Sequence, residues 1–78
     1  MNHEILAGVK KIVSELFDIP VAKITDDMGP ATVEAWDSVQ QMNLMLELEQ
    51  RFGVKLEPED FAEVRTIGDA VLLIESKV

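Results

Sequence analysis

The chain has 78 residues, of which 47% are hydrophobic, and this predicts one folded domain rather than a disordered chain or a catalytic domain joined to a binding domain. It contains 0 cysteines, which excludes disulfide bonds, thiolate catalysis and cysteine zinc sites. The formal net charge of -8 disfavours nucleic acid and anionic membranes as partners and favours proteins with basic surfaces.

A first helix is predicted from about Glu4 to Phe17, because apolar residues recur there at three- and four-residue intervals. The residues of this stripe are Ile5, Leu6, Val9, Ile12, Val13, Leu16 and Phe17. Pro20 ends the helix, since proline disfavours helical geometry in the residue before it and lacks a backbone N–H.

A long loop is predicted from about Asp18 to Trp36, with a turn at Gly29 and Pro30. Its apolar residues follow neither a helical nor a strand period, and we expect them to hold the loop against the helices. They are Ile19, Val21, Ile24, Met28, Val33 and Trp36. A connection of this length inside a compact domain is more often functional than idle.

The second helix is predicted to begin at Ser38 and to end at Phe52, in a segment rich in helix-forming residues. Asp37 is a good N-cap, and Gln40 stands three residues later, where its side chain could complete a capping box. Gly53 is a natural C-terminal cap, so both ends of this helix are marked in the sequence.

The last part of the chain predicts a short helix of one or two turns near Pro58 and a final helix opened by Thr66. Thr66 and Asp69 repeat the capping-box pattern, and the apolar face of the final helix consists of Ile67, Ala70, Val71 and Ile74. No segment alternates with period two. The predicted fold is all-α: a four-helix bundle of three longer helices and one short helix, with a long loop between helices one and two, in a single domain over residues 1–78.

Ser38 is the candidate functional residue because it is the first residue of the second predicted helix. Its hydroxyl is expected to face solvent beside backbone N–H groups that have no partner within the helix. A phosphodiester on that hydroxyl would be stabilised by those donors and by the positive end of the helix dipole. An isolated Asp-Ser pair is usually only a tolerated polar helix end, so the pair alone decides nothing.

The surrounding pattern resembles the phosphopantetheine attachment region of acyl carrier proteins. The matching residues near the serine are Asp37, Ser38, Val39, Leu44, Leu48, Glu49, Phe52 and Gly53. Further matches in order and spacing are Ile12, Val13, Ile24, Asp26, Asp27, Leu56, Phe61, Thr66, Ile67, Gly68 and Asp69. The resemblance covers nearly the whole chain, and the length, the acidity and the lack of cysteine agree with it.

The resemblance implies that a phosphopantetheinyl transferase reads Asp37 and attaches a 4′-phosphopantetheine arm from coenzyme A to Ser38. The arm ends in a thiol that holds an acyl group as a thioester. The protein would then present this cargo to acyl-loading and acyl-processing enzymes of fatty acid, polyketide or specialised lipid and secondary metabolite synthesis, without being an enzyme itself. Peptidyl, aryl and D-alanyl carriers share the arm and remain alternatives, as does an unmodified helical adaptor in which Ser38 is incidental.

The second helix carries two apolar stripes rather than one. The stripe expected to fill the core consists of Leu44, Met45, Leu48 and Phe52. The second stripe, next to Ser38, consists of Val39, Met42 and Leu46. Either both stripes belong to one wide buried face, or the second stripe borders the arm and docks partner enzymes, which the resemblance favours.

Two departures from the carriers of fatty acid synthesis bear on partner choice. Gln40 and Asn43 stand where those carriers typically have acidic residues, which leaves Glu47 and Glu49 as the acidic residues nearby. We therefore expect partners to depend less on charge pairing and more on apolar contacts, with Glu47 as an additional contact. Trp36 replaces a small residue or leucine. A dedicated pathway such as secondary metabolism, cell-envelope modification or a specialised lipid is consistent with these departures, but the sequence does not choose among them.

Other functions are disfavoured by what the sequence lacks. A serine hydrolase needs a histidine base, but the 1 histidine is His3, near the chain end, and Ser38 lacks the flanking glycines of a nucleophile elbow. Asp26 and Asp27 lack the regular spacing of a calcium loop. No apolar run approaches the roughly 18 residues that span a bilayer, and the first residues lack the pattern of a signal peptide. We therefore expect a cytoplasmic protein without membrane insertion. We also expect it to be a monomer.

Overall fold

The computed structural model of the protein describes residues 2–78 and consists of helices joined by loops. The four α-helices are α1 (His3–Phe17), α2 (Ser38–Phe52), α3 (Pro58–Phe61) and α4 (Ile67–Lys77). A short 3₁₀ helix (Val21–Lys23) lies in the long loop, and residues 2–78 form no β-strand. The predicted all-α fold is confirmed. None of the helices formed by these residues is both long enough and apolar enough to cross a membrane.

Local hydrogen bonds set both ends of α1. The Asn2 side chain accepts hydrogen bonds from the backbone N–H groups of Glu4 and Ile5, at 2.9 and 3.1 Å. At the other end Asp18 adopts the left-handed conformation with φ 56°, and its N–H donates to the carbonyl oxygen of Ser14. The helix therefore ends before Pro20, as the sequence predicts.

The core lies where α1, α2 and α4 face one another. Helix α1 packs against α4 and α2, and α3 packs against α4. The predicted inward faces are confirmed, with Leu6, Leu16, Phe17 and Phe52 partly buried at their edges. The buried residues of these faces are Ile5, Val9, Ile12, Val13, Leu44, Met45, Leu48, Ile67, Ala70, Val71 and Ile74.

Most apolar residues of the long loop hold it against the helices. Ile24 and Trp36 are buried, with 3% and 2% of their surface exposed. The partly buried residues that pack against the core are Ile19, Met28 and Val33. Val21 is 49% exposed, so the expectation that it holds the loop in place is wrong. It belongs to the 3₁₀ helix, none of whose residues is buried.

The loop also supplies hydrogen-bond acceptors for the first turn of α4. The N–H of Ile67 donates to the carbonyl oxygen of Met28 at 2.9 Å, and the N–H of Gly68 donates to that of Asp26 at 2.8 Å. A helix cannot satisfy these first N–H groups internally. The loop and the N-terminal end of α4 therefore form one hydrogen-bonded unit.

Gly29 lies at a close approach of the loop to the segment before α4. Its carbonyl oxygen accepts hydrogen bonds from the N–H groups of Thr32 and Val33, at 3.0 and 2.8 Å, which forms the turn predicted at Gly29 and Pro30. A Cβ atom built on Gly29 would lie 1.9 Å from the carbonyl oxygen of Arg65. The backbones are too close there for any residue larger than glycine.

The substitution Gly29→Ala should lower the free energy of unfolding by about 1–3 kcal/mol, because the loop backbone must move away from Arg65. Urea unfolding followed by circular dichroism measures this change. The control is Gly53→Asn, for which only a small loss is expected: Gly53 has φ 64°, which asparagine tolerates, and the structure places no atom within 4 Å of its built Cβ. Unchanged stability of Gly29→Ala would contradict the close packing of the loop.

Candidate functional site

Ser38 is the first residue of α2, and it is exposed. Asp37 precedes it in extended conformation, and the Asp37 carboxylate accepts a hydrogen bond from the Gln40 N–H at 2.9 Å. The predicted N-cap and helix start are confirmed. The Ser38 hydroxyl therefore stands in solvent at the N-terminal end of a 15-residue helix, where free N–H groups and the helix dipole favour an anion.

The two predicted capping boxes are each only half formed. The Gln40 side-chain oxygen accepts from the Asn43 amide at 3.0 Å, while the Asp37 N–H donates to a carbonyl oxygen two residues earlier. At α4 the Thr66 hydroxyl accepts from the Asp69 N–H at 3.1 Å, but the Asp69 carboxylate accepts from the residue before Thr66. In both helices the N-cap side chain therefore accepts its expected hydrogen bond from the backbone. The side chain that would complete the box, Gln40 in α2 and Asp69 in α4, accepts from another residue instead.

Trp36 and Gln41 connect the start of α2 to its neighbours. The Trp36 ring stacks on Phe17 at the end of α1, with ring centroids 5.1 Å apart and 24° between the planes. Its indole N–H donates to the side-chain oxygen of Gln41. Gln41 Nε2 in turn donates to the carbonyl oxygens of Phe61 and Val64, both at 3.2 Å. These contacts tie α1, α2 and the end of α3 together beside Ser38.

Gln41 is the site residue that sequence reasoning missed. It falls on the core stripe of α2, three, four and seven residues before Leu44, Met45 and Leu48, where an apolar residue is expected. A buried tryptophan usually finds an acceptor for its indole N–H, and this requirement of Trp36 is the signal that could have pointed to a polar side chain nearby. Gln41 is partly buried, as its place on the core stripe predicts.

Two grooves open beside Ser38, and both are lined by Ser38 and Gln41. The larger groove, of about 520 Å³, lies between the long loop and the segment that joins α3 to α4. Its walls include Pro30, Ala31, Trp36, Ala62, Val64 and Arg65. The smaller groove, of about 160 Å³, lies between α2 and α3. Its walls include Met42, Met45, Pro58 and Phe61.

The second apolar stripe of α2 lies in solvent beside Ser38. The exposed fractions are 67% for Val39, 46% for Met42 and 49% for Leu46. The interpretation of both stripes as one wide buried face is therefore wrong. Glu47 is exposed as well, but it lines neither groove at Ser38 and faces a hollow beside Ile12 and Glu15 of α1.

The other polar residues considered from the sequence are exposed and separate from this site. His3 is exposed at the first position of α1. Asp26 and Asp27 are exposed in the loop, where Asp27 accepts a hydrogen bond from the Thr25 hydroxyl. Across residues 2–78, no three histidine or carboxylate side chains converge in a way that could hold a metal ion.

Comparisons with known proteins agree with this geometry. The family model described as "Phosphopantetheine attachment site" matches residues 7–74. The acyl carrier protein of Thermotoga maritima is 32% identical over 77 residues, which covers 99% of this chain and 95% of that protein. The meromycolate extension acyl carrier protein of Mycobacterium tuberculosis is 33% identical over 74 residues, or 95% of this chain and 64% of that protein. The structure of the acyl carrier protein from Enterococcus faecalis matches with a TM-score of 0.79 and 38% identity, over 97% of this chain and 96% of that one.

Fold and sequence together define a helical carrier that is modified covalently, rather than a catalyst. The chain belongs to the acyl carrier protein family, whose domain is the site of 4′-phosphopantetheine attachment. It therefore serves as a carrier in fatty acid or related synthesis, and it interacts with a phosphopantetheinyl transferase and with acyl-processing enzymes. An exposed hydroxyl at a helix N-terminus with a groove alongside fits the attached group.

The substitution Asp37→Ala should lower the free energy of unfolding by about 1 kcal/mol, because α2 loses the side chain that accepts from the Gln40 N–H. Asp37→Asn is the matched control and should leave stability nearly unchanged, since asparagine keeps an oxygen in the same place. Urea unfolding measures both. A loss in Asp37→Asn as large as that in Asp37→Ala would show that Asp37 stabilises the chain by its charge and not by capping.

Proposed function

We propose that Ser38 is the residue that carries the 4′-phosphopantetheine arm, and that the whole chain acts as one carrier domain, as a cytoplasmic monomer. The observation that supports this most directly is the exposed Ser38 hydroxyl at the first position of α2. The other two serines are already engaged. The Ser14 hydroxyl donates to the carbonyl oxygen of Ile19, and the Ser76 hydroxyl donates to that of Leu73.

The local electrostatics suit a phosphodiester on Ser38. An exposed anion at the N-terminal end of a helix gains roughly 0.3–1 kcal/mol from the helix dipole. The bound arm supplies a thiol that holds the acyl group in a reactive thioester. Tethering at an exposed point raises the effective concentration of the cargo at each enzyme that docks, so one small monomer can serve several enzymes in turn.

Asp37 has a second proposed role beside its role as the N-cap. Its side chain is exposed next to the Ser38 hydroxyl, and its Oδ1 atom accepts from the Gln40 N–H, which holds the carboxylate in one orientation. A fixed carboxylate beside the reacting hydroxyl is a recognition point for a basic group of the transferase. We infer that the transferase reads this charge.

Incubation of the purified chain with coenzyme A and a broad-specificity phosphopantetheinyl transferase should add one phosphopantetheine group to the native chain and none to Ser38→Ala. Intact-mass measurement gives the result directly. Ser76→Ala is the matched control and should be modified like the native chain, because Ser76 is also exposed but lies near the C-terminal end of α4. Asp37→Asn should be modified more slowly in the same assay.

A native chain that stays unmodified under these conditions would contradict the proposal and would favour the unmodified helical adaptor. Modification of Ser38→Ala to the same extent as the native chain would place the arm on another residue. Loss of folding can be excluded as the cause of either result, because the native chain and Ser38→Ala can both be checked for helical content by circular dichroism before the assay.

We also propose that the exposed stripe of α2 contacts partner enzymes, with Glu47 at its edge. The stripe starts at Val39, directly after Ser38, so an enzyme that reaches the arm also meets the stripe. Covering exposed apolar surface contributes about 25 cal/mol per Å², and methionine adapts to several partner shapes. Gln40 and Asn43 bond to each other and offer no charge, which supports apolar docking.

The substitution Leu46→Glu should lower the kcat/KM of the transferase for this carrier by about tenfold, because a charge enters an apolar contact. Leu72→Glu is the matched control: Leu72 is 54% exposed and Leu46 is 49% exposed, but Leu72 lies on α4. Raising the ionic strength should lower the native rate only by the share that the Asp37 charge contributes, so the rate of Asp37→Asn should change only weakly with salt. Equal losses in the two leucine variants, or a steep fall of the Asp37→Asn rate with salt, would contradict apolar docking.

We infer that this carrier works in a dedicated pathway, such as secondary metabolism, cell-envelope modification or specialised lipid synthesis. The inference is supported by the uncharged Gln40 and Asn43 and by the buried Trp36, which depart from the pattern of fatty-acid-synthesis carriers. Identification of the ligase or synthetase that loads the arm would test it. Efficient loading only by the enzymes of general fatty acid synthesis would contradict it.

A further inference from the structure

Attachment of the arm to Ser38 places a phosphodiester next to the Asp37 carboxylate. The phosphorus atom is bonded directly to the serine oxygen, so its position depends on Ser38 and not on the course of the rest of the arm. Asp37 is exposed beside it, and two negative charges this close repel each other. The Asp37 side chain also accepts from the Gln40 N–H, which leaves fewer helix donors for the phosphate. A cation within reach would stabilise the modified chain.

Arg65 supplies a cation at the groove beside Ser38. The charged residues that line the larger groove, of about 520 Å³, are Asp37 and Arg65. The residues that line the smaller groove are all uncharged. A phosphodiester on Ser38 therefore has a positive side chain available on the side of the long loop and the segment that joins α3 to α4.

The main chain of Arg65 is fixed, while its side chain is free to meet an anion. Its N–H donates to the Asp69 carboxylate at 3.1 Å, and its carbonyl oxygen packs closely against Gly29 of the long loop. Arg65 is exposed, and within residues 2–78 the one ion pair joins Lys77 to Asp60 at 3.2 Å. The guanidinium of Arg65 therefore has no carboxylate partner in this part of the chain that it must leave when a phosphate is attached.

We propose that Arg65 is a positioning residue whose guanidinium binds the phosphodiester on Ser38. This inference rests on Ser38 as the attachment site. Arginine suits the role because its N–H groups form paired hydrogen bonds with phosphate oxygens and its charge persists at every physiological pH. The contact offsets the repulsion from Asp37. It turns the phosphate end of the arm toward the larger groove, whose walls do not include the exposed stripe of α2, so the stripe remains uncovered for partner enzymes.

The first test compares the chain before and after attachment of the arm by nuclear magnetic resonance. Intact mass first establishes one arm on the native chain and none on Ser38→Ala. The chain has two arginines, Arg51 and Arg65, so their guanidinium N–H signals can be assigned. Attachment should shift the N–H signals of Arg65 downfield and slow their exchange with water, because they become donors to phosphate oxygens. The signals of Arg51 should stay unchanged, since Arg51 lies in the last turn of α2, far from Ser38.

The second test follows the phosphate itself by phosphorus-31 resonance. With the arm attached, Arg65→Gln should move the phosphorus signal from its native position toward that of the urea-unfolded modified chain, because the cation is lost. Arg65→Lys keeps the charge but not the paired donors, and its signal should lie between the two. Arg51→Gln is the matched control and should keep the native signal. Circular dichroism checks that each variant is folded, and if Arg65→Gln is not, the Arg65→Lys signal and the native guanidinium signals decide.

Unchanged Arg65 signals after attachment, or a native phosphorus signal in folded Arg65→Gln, would overturn this inference and leave the proposed function intact. A shift in Arg51→Gln as large as that in Arg65→Gln would also overturn it, because the effect would then follow from net charge and not from the place of Arg65. Failure of the native chain to take up the arm would overturn both this inference and the proposed function.

Discussion

Burial of the Trp36 indole fixes where α2 begins. The ring stacks on Phe17 at the end of α1 and donates to Gln41, so the chain reaches α2 with one side chain already held in the interior. Asp37 then holds the N-cap, and Ser38 enters the helix with its hydroxyl in solvent. The buried Trp36 and the Asp37 cap together hold the serine at this exposed position. A residue without a large ring at position 36 would leave the end of α1 and the start of α2 without this common contact.

Helix α2 has two apolar surfaces with different roles: one fills the core and the other stays exposed. Its inner face packs against α1 and contributes Leu44, Met45 and Leu48 to the core, while the stripe of Val39, Met42 and Leu46 stays in solvent. A carrier needs both a buried face and an exposed stripe, because it must remain folded while it presents the same arm to a series of different enzymes. The long loop contributes by binding the first turn of α4 through Met28 and Asp26, which fixes one wall of the larger groove relative to the other.

Features that depend on neighbouring residues in the sequence could be predicted. Helix ends follow from Pro20, Asp37 and Gly53, and the two stripes of α2 follow from the spacing of its apolar residues.

Features that depend on partners distant in the sequence could not be predicted. Val21 is apolar, but whether it is covered depends on where the loop runs. The capping boxes fail on one side because Gln40 and Asp69 find other partners, and Gln41 gains its role from carbonyl groups 20 and 23 residues away. The location of Ser38 was predictable because helix start signals are local, whereas the grooves beside it arise only when α3 and the loop come together.

The place of Trp36 in the fold gives the molecule a built-in optical probe. The chain has 1 tryptophan and 0 tyrosines, so its ultraviolet emission arises almost wholly from this one indole. That indole lines the larger groove and lies two residues from Ser38. Emission from the unlabelled protein therefore offers a way to follow changes around the start of α2, without a reporter group that would itself disturb so small a surface.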